Sequence, residues 1–453
     1  MKFYNREVEL TEIKNIIKSN QSAFVYLYGR RRIKTTLILK ASEKNKRLYF
    51  FVEKTKKALL SDFNAILQKE LNLPYLKFDE LKDLLDFLFD YSKKEKLIVV
   101  FDEFQNFYKI DKIFSDFQYY WDLNKDESKM KLFVLGSHFT LMKEIFENNK
   151  NPLFGRKTAH FYLRNFDINT QINILSDKKL LKSRNLLYFF SIFFGIPKYI
   201  EIYLDKVNNE AFLNNILDIF IKENSFFIFE AKELFALEFG KSYDIYFSIL
   251  TAISCGYNQK NKIADFTISI DSLLYLNKLE KYFELIDRRF PITENKNSKI
   301  SRYVIKDLFL KFWFRYIYKY NYLLEIKDFE LKSFVKEDIN KFLFTFEELV
   351  RQILIEENLK KLPFRIQKIT FFNRKGTNEI DLVLLNSKEK KVLFIECKLN
   401  NDKINKGELI KLKKKVEEER IYSSYKQYFG FASVDKLDII CDYSLSIESF
   451  IEN

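Results

Sequence analysis

Blocks of apolar and polar residues alternate through the first 205 positions. Runs at 23–28 (AFVYLY), 48–52 (LYFFV), 97–101 (LIVVF) and 131–135 (KLFVL) are short and almost wholly apolar, so they read as strands buried on both faces. Between them, stretches such as 59–71 and 78–91 carry apolar residues at three- and four-residue spacing, as amphipathic helices do. Strands alternating with helices predict a layered α/β domain over 1–205. Over 206–325 the strand signals fade. Residues 242–255 read as a helix closed by Gly256 where a left-handed terminal residue belongs, 261–266 as a short second helix, and 269–279 as a third, with Ser269 or Asp271 available as cap. A hairpin from 282–287 to 301–305 follows. Three helices and a hairpin describe a winged helix, and the aromatic-rich helix expected at 307–321 suits interdomain packing. From 326 onward the pattern changes again: a helix at 342–357, strands at 366–372, 379–385 and 391–397, a basic helix at 406–420, then strands at 427–432 and 437–441. Three regions result, 1–205, 206–325 and 326–453, with no internal repeat.

Composition narrows the classes. A chain of 453 residues, 47% hydrophobic and 31% charged, can bury two or three cores and is poorly suited to long disorder. With 9 Gly and 5 Pro in the whole chain, a glycine that is kept carries information. The net charge of +14 favours a polyanionic partner, nucleic acid above all, although a lysine surplus also serves simply to solvate surfaces. Three cysteines without paired spacing and two histidines exclude a disulfide framework and a Cys/His zinc site. The polar, charged N-terminus is unlike a signal peptide, and the longest apolar run, near 187–196, is too short to cross a bilayer. A cytoplasmic, reducing location is expected.

Chemistry enters where the first run meets Gly29-Arg30-Arg31-Arg32-Ile33-Lys34-Thr35-Thr36. A strand, a glycine, a Lys-Thr pair and a following helix are the parts of a phosphate-binding loop. Backbone N–H groups surround the phosphates, the lysine reaches the β/γ oxygens and the hydroxyl binds Mg²⁺. The second glycine of such a loop is missing, one residue is lost, and β-branched Ile33 stands before the lysine, where backbone must approach phosphate closely. The third run ends in Asp102-Glu103. Asp102 is placed to hold Mg²⁺ through its water shell and Glu103 to orient the attacking water.

These motifs resemble the archaeal-type ATPase family, a branch of the AAA superfamily also found in bacteria. Phe3-Tyr4-Asn5-Arg6-Glu7-Val8-Glu9-Leu10 is similar to the family's N-terminal box near the adenine. Leu135-Gly136-Ser137 resembles its sensor strand, which implies Ser137 near the γ-phosphate, with His138 where a second serine often stands. Pro152-Leu153-Phe154-Gly155-Arg156-Lys157-Thr158 resembles the segment carrying a conspicuous arginine, so Arg156 is expected to sense phosphate, to serve a neighbouring subunit, or to be structural. The resemblance implies ATP and Mg²⁺ held by Gly29, Arg32, Lys34, Thr35, Thr36, Asp102, Ser137 and Arg156, with Thr35 and Asp102 on the metal, and a homo-oligomer is conceivable because such sites lie between subunits. The shortened loop leaves two readings, a distorted working site or a structural relic.

Residues 206–453 are similar to the regions that follow this ATPase in the family, whose tail resembles the restriction-endonuclease-like PD-(D/E)xK nucleases. The resemblance implies a metal-dependent nuclease fold. Strand positions two apart share a face, so Glu396 and Lys398 point together and Cys397 away. Asp381 sits on the preceding strand, and Glu347 starts the helix before the sheet. Glu347, Asp381 and Glu396 would ligate Mg²⁺ or Mn²⁺ and Lys398 would attend the attacking water. Lys411, Lys413, Lys414 and Lys415 form a helix able to follow a phosphate backbone. The residues 269–281 carry few basic groups, leaving a protein-binding role for the winged helix open. An ATP-regulated, DNA-processing enzyme is the expectation. The alternatives are a DNA-binding or scaffold protein with an inert ATPase site, and a mobile-element or defence module acting through partner proteins.

Overall fold

The computed structural model describes the chain except residues 1–3, 30–32, 53–55, 209–210, 222–224, 240–241, 268–271, 296–297, 299, 323–330, 357–361, 375–377 and 453. Two compact units form: Met1–Asn165 with Ile196–Lys198, and Phe166–Gly195 with Tyr199–Asn453. Among the described residues no helix is long and apolar enough to cross a membrane.

The first unit is an α/β fold built on a parallel sheet. Strands β1 (Ala23–Gly29), β2 (Arg47–Phe51), β3 (Ile98–Asp102), β4 (Lys131–Gly136) and β5 (Ala159–Leu163) lie in the order β2-β3-β4-β1-β5. Successive side chains of β1 enter different cores. Phe24 and Tyr26 pack with Phe63, Phe101, Phe117 and Trp121, while Val25 and Leu27 pack with Ile13, Ile17, Leu37 and Phe133. Burial on both faces is why β1, β3 and β4 read as continuous apolar runs, while the edge strand β2 does so through aromatic residues although Phe51 is half exposed. The edge strand β5 escaped that reading because His160 and Tyr162 face outward between buried Phe161 and Leu163. Trp121 meets Phe24 edge-on at 5.3 Å, and Phe101 meets Phe117 at 5.4 Å, so aromatic quadrupoles fix much of this core. Parallel strands bring Gly29, Asp102 and Gly136 to one edge of the sheet, where open α/β folds hold ligands.

The second unit begins with helices. Tyr243–Ser254, Lys260–Thr267 and Ser272–Lys281 precede an antiparallel hairpin of β6 (Ile286–Arg289) and β7 (Arg302–Ile305). Gly256 takes the left-handed φ of 97°. The caps expected at Ser269 and Asp271 lie outside the described residues. Asp307 caps the next helix, its Oδ1 accepting from the Leu310 amide at 3.1 Å. That helix, Leu308–Phe312, runs on into a π-helical turn over Trp313–Tyr318. The buried Trp313 indole donates to the Phe227 carbonyl at 2.7 Å.

A helix, Phe346–Glu356, leads into a sheet of β8 (Lys368–Arg374), β9 (Asn378–Asn386), β10 (Lys391–Lys398), β11 (Lys426–Ser433) and β12 (Tyr443–Ser446), ordered β12-β11-β10-β9-β8. β8, β9 and β10 are antiparallel neighbours. The helix Lys406–Glu418 then crosses over to make β11 parallel to β10. The strand expected at 437–441 is not there. The chain is irregular through that stretch and enters the sheet at Tyr443, after Asp442 exchanges bonds with Phe429: its amide donates to the carbonyl at 3.0 Å and its carboxylate accepts from the amide at 2.8 Å. Gly430 decides the register, since a Cβ there would stand 2.4 Å from the Tyr443 carbonyl oxygen. Gly430→Ala is expected to detach β12 and destabilise the second unit by about 1–3 kcal/mol. Thermal and urea denaturation check it, and an unchanged midpoint would show that β12 does not depend on this close approach.

Candidate functional site

In the first unit β1 delivers Gly29 with φ 149°, a conformation that admits no side chain because a Cβ would lie 2.8 Å from the Leu163 carbonyl oxygen. The helix Ile33–Ala41 carries Lys34 and Thr35 on its first turn. Lys34, only 2% exposed, donates from Nζ to the Gly29 carbonyl at 2.7 Å. Thr35 Oγ1 donates to Asp102 Oδ2 at 2.9 Å, and the Tyr49 hydroxyl donates to the same oxygen. Burial, with Asp102 beside it, pushes the Tyr49 phenol up and keeps it a donor. Lys34, Thr35 and Asp102 are thus brought together at the sheet's C-terminal edge. Thr36 is exposed one residue on, and Arg32 lies outside the described residues.

Glu103 adopts a left-handed φ of 54°, which turns its carboxylate along the edge. Ser137 Oγ donates to its Oε2 at 2.6 Å and Gln105 Nε2 donates to the same atom. Gln105 is buried, and its Oε1 has no hydrogen-bond partner among the described residues. Gly136 makes room for it: a Cβ there would lie 2.8 Å from that Oε1 and 2.3 Å from Met142. His138 caps the helix Phe139–Glu147, its Nδ1 accepting from the Leu141 amide at 3.3 Å. Burial pushes its imidazole below the ordinary value against the opposing pull of Glu103. Arg156 is not part of this group. Its Nε and Nη2 donate to Asp122 Oδ2 at 3.0 and 2.9 Å, and two residues on the Thr158 amide donates to the Phe24 carbonyl, at the opposite end of β1 from Gly29.

The second unit gathers carboxylates where β9 and β10 part. Their ladder ends at Ile395 opposite Leu382, one rung before Glu396 would face Asp381. Like charges directly opposite each other are unfavourable, and the Asp381 carboxylate takes over the backbone's task by accepting from the Cys397 amide at 2.7 Å. Glu396 is 7% exposed, with Lys415 Nζ 2.8 Å from Oε1 and Lys398 Nζ 3.6 Å from Oε2. Lys415 also donates to the Glu379 carbonyl at 3.0 Å. Burial, then the charge of Asp381, holds Glu347 well above the usual carboxylate range; burial, then the charge of Glu396, does the same to Asp381. Beside them, burial pushes the Lys311 ammonium down to about 7. Glu348 behaves oppositely: against the cost of burial, the Arg289 and Arg351 guanidiniums, at 2.9 and 2.6 Å, hold it down at about 2. Among the described residues no three acidic, histidine or cysteine side chains are gathered into a ready metal cage. The lysines of the basic helix are engaged locally: Lys411 with Glu408 at 2.7 Å, Lys414 with Glu418 at 3.6 Å, and Lys413 over the Phe429 ring.

A cleft of about 890 Å³ opens onto this cluster, lined by Glu347 and Asp381 together with Arg288, Arg289, Arg302 and Lys311. Sequence reasoning missed those cations, although the Arg288-Arg289 doublet and Arg302 on an expected hairpin were the signal.

Over 412 residues the chain is 34% identical to an uncharacterized protein of Methanocaldococcus jannaschii, the match covering 87% of each. Residues 3–202 match an ATPase domain found predominantly in Archaea. The chain belongs to the archaeal-type ATPase family. Residues 313–421 of this ATPase-family chain match a second family, of archaeal and bacterial proteins of unknown function, and that span contains Glu347, Asp381, Glu396 and Lys398. A Walker-type ATPase of Pyrococcus abyssi is similar in fold, with a TM-score of 0.50 at 18% identity over 69% of this chain and 96% of that one. The ORC2 protein of Aeropyrum pernix, solved as ADPNP–ADP complexes, superposes at a TM-score of 0.46 and 13% identity, over 71% of this chain and 94% of its own.

The raised carboxyls have a consequence for stability. Glu347 and Asp381 keep protons in the folded chain that the unfolded chain releases, so their contribution is complete below the ordinary carboxylate range. It is lost as pH rises through their raised values. Without divalent cations the second unit is expected to lose stability from about pH 5 to about pH 8. Asp381→Asn should flatten that slope and raise the melting temperature at the upper pH. Identical pH profiles for the two proteins would show that the carboxylates are not under this strain.

Proposed function

We propose that this ATPase-family protein binds ATP with Mg²⁺ in its first unit and hydrolyses phosphodiester bonds of DNA at the carboxylate cluster of its second. The observation that carries the second part is the missing rung between Asp381 and Glu396, with Lys398 two residues farther along the same strand face. Helix, three antiparallel strands, crossover helix and parallel strand are the order of a PD-(D/E)xK nuclease, and the three helices with their hairpin support a winged-helix reading of the segment before it.

The residues fit the groups these activities need. Thr35 and Asp102 already share a hydrogen bond where Mg²⁺ of a nucleotide would be held, and Lys34 needs only to exchange the Gly29 carbonyl for a phosphate oxygen. Glu103, held by Ser137 and Gln105, is aimed to orient a water. Glu347, Asp381 and Glu396 offer only oxygen, and the burial and mutual repulsion that favour protons on two of them are offset by a hard divalent cation such as Mg²⁺ or Mn²⁺. Such a cation supplies Lewis acidity and a bound water of lowered pKa. Lys398 stabilises charge on the phosphate, and Lys415 orients Glu396. Arg156 stands far from Lys34 within one chain, so its proposed contact with nucleotide is toward a neighbouring subunit of a homo-oligomer.

Lys398→Ala is expected to lower Mg²⁺-dependent cleavage of DNA by roughly 10²–10³-fold with the fold intact. Cleavage at the original rate would sink the assignment. A second reading, a DNA-binding or scaffold protein with an inert ATPase, draws on the buried Lys34 satisfied by its own loop and on Ile33 where a glycine is usual. Equilibrium binding of labelled ATP with Mg²⁺ separates the two. Binding that disappears in Lys34→Ala supports the first reading, and none in the unaltered protein supports the second.

A further inference from the structure

The cleft beside the carboxylates has walls from two parts of the second unit that are bolted together. On leaving β6 the chain runs along the open edge of β8: the Ile292 amide donates to the Phe371 carbonyl at 2.8 Å, and Thr370 Oγ1 donates to the Phe290 carbonyl at 2.7 Å. Ile292 is buried in the same core as Phe372 and Ile380. Higher up, Arg302 of β7 donates to Glu379 of β9 with its guanidinium over the Phe371 ring at 4.6 Å, and Arg289 of β6 pairs with Glu348. The hairpin therefore cannot swing away from the sheet without breaking backbone bonds, a buried contact and two ion pairs.

At about 890 Å³ the cleft compares with pockets for drug-sized ligands, which is room for roughly two or three nucleotides of one strand. One turn of duplex, about 34 Å along its axis, is far too large to be enclosed in such a volume. The lining chemistry agrees. Arg288 lies over Phe290 at 4.8 Å and Arg302 over Phe371, so flat guanidinium–aromatic pairs line the walls, as in sites where unstacked bases and their phosphates are held. Lys306, paired with Asp287 at 3.2 Å, adds a half-exposed cation.

We propose that this cleft admits a single strand of nucleic acid, so that the phosphodiester reading above, on which this rests, applies to single-stranded DNA or an unpaired end and not to intact duplex. Glu379 and Glu348 hold the arginines in place beside the path of the strand's phosphates. The reactive phosphate then lies between Arg302 and the Asp381 carboxylate.

The test is binding, measured by fluorescence anisotropy with Ca²⁺ in place of Mg²⁺, using a short labelled single-stranded DNA, a blunt duplex of the same sequence and a duplex with a single-stranded end. The single strand and the tailed duplex are expected to bind at least about tenfold more tightly than the blunt duplex. The single-strand affinity should fall with salt at a logarithmic slope of roughly −1.4 to −2.1, for two or three phosphates at about −0.7 each. Arg302→Gln should weaken single-strand binding and shallow the slope by about 0.7, leaving the weaker duplex binding unchanged. Lys306→Gln provides the same readout with the Arg302–Glu379 bridge intact, and Lys388→Gln, exposed in the β9–β10 turn and outside the cleft, should change nothing. Equal affinity for blunt duplex and single strand, or cleft variants no different from Lys388→Gln, would overturn the proposal. Cleavage needs no part in this. Single-strand binding without cleavage in Mg²⁺ would retire the nuclease reading alone, and cleavage of blunt duplex at the single-strand rate would retire the strand-sized cleft alone.

Discussion

The second unit is organised around two carboxylates that cannot face each other. Asp381 and Glu396 are the next opposed pair of a β-ladder, and the ladder stops at the rung before them. Once the strands part, the Cys397 amide loses its cross-strand carbonyl and finds the Asp381 side chain instead, which fixes that carboxylate in position. Glu396, left on the other lip, collects Lys398 and Lys415 from its own strand and from the crossover helix. The gap continues outward to Glu379, which holds Arg302 of the hairpin. Repulsion between two acids is thus converted into an open sheet end with cations at its rim.

The first unit solves a similar problem with hydroxyls. Asp102 is shared by Thr35 and Tyr49, and Glu103 by Ser137 and Gln105, so both acids at the end of β3 accept from uncharged donors. The left-handed backbone at Glu103 lets two adjacent acids diverge. In the second unit, by contrast, burial and neighbouring acids favour a proton on Glu347 and Asp381.

Much of this was readable in advance where local chemistry is compulsory. A strand buried on both faces must be apolar throughout, so β1, β3 and β4 announce themselves; of the two edge strands, β2 is legible because its outward positions are aromatic, whereas β5, with His160 and Tyr162 facing out, is not. Gly29, Lys34, Thr35 and Asp102 are recognisable because a phosphate loop and a strand-end acid have fixed spacing. The alternation at 437–441 looked like a strand, but pairing with β11 requires the bare backbone of Gly430, and the residue that reaches it is Tyr443. Tyr49, Lys415 and Lys311 act through neighbours distant in the chain, and no periodicity encodes such a meeting. Arg156 is the converse case: its motif is local, but which of its expected roles it plays depends on a partner far along the chain, and within one chain that partner is Asp122.

The chain contains two tryptophans, and each compact unit holds one. Trp121 sits against Phe24 in the first core, and Trp313 is tied to the Phe227 carbonyl in the second. Intrinsic fluorescence therefore carries an address. With either indole exchanged for phenylalanine, the remaining emission comes from a single unit, and the unfolding of that unit can be timed in unlabelled protein without interference from the other.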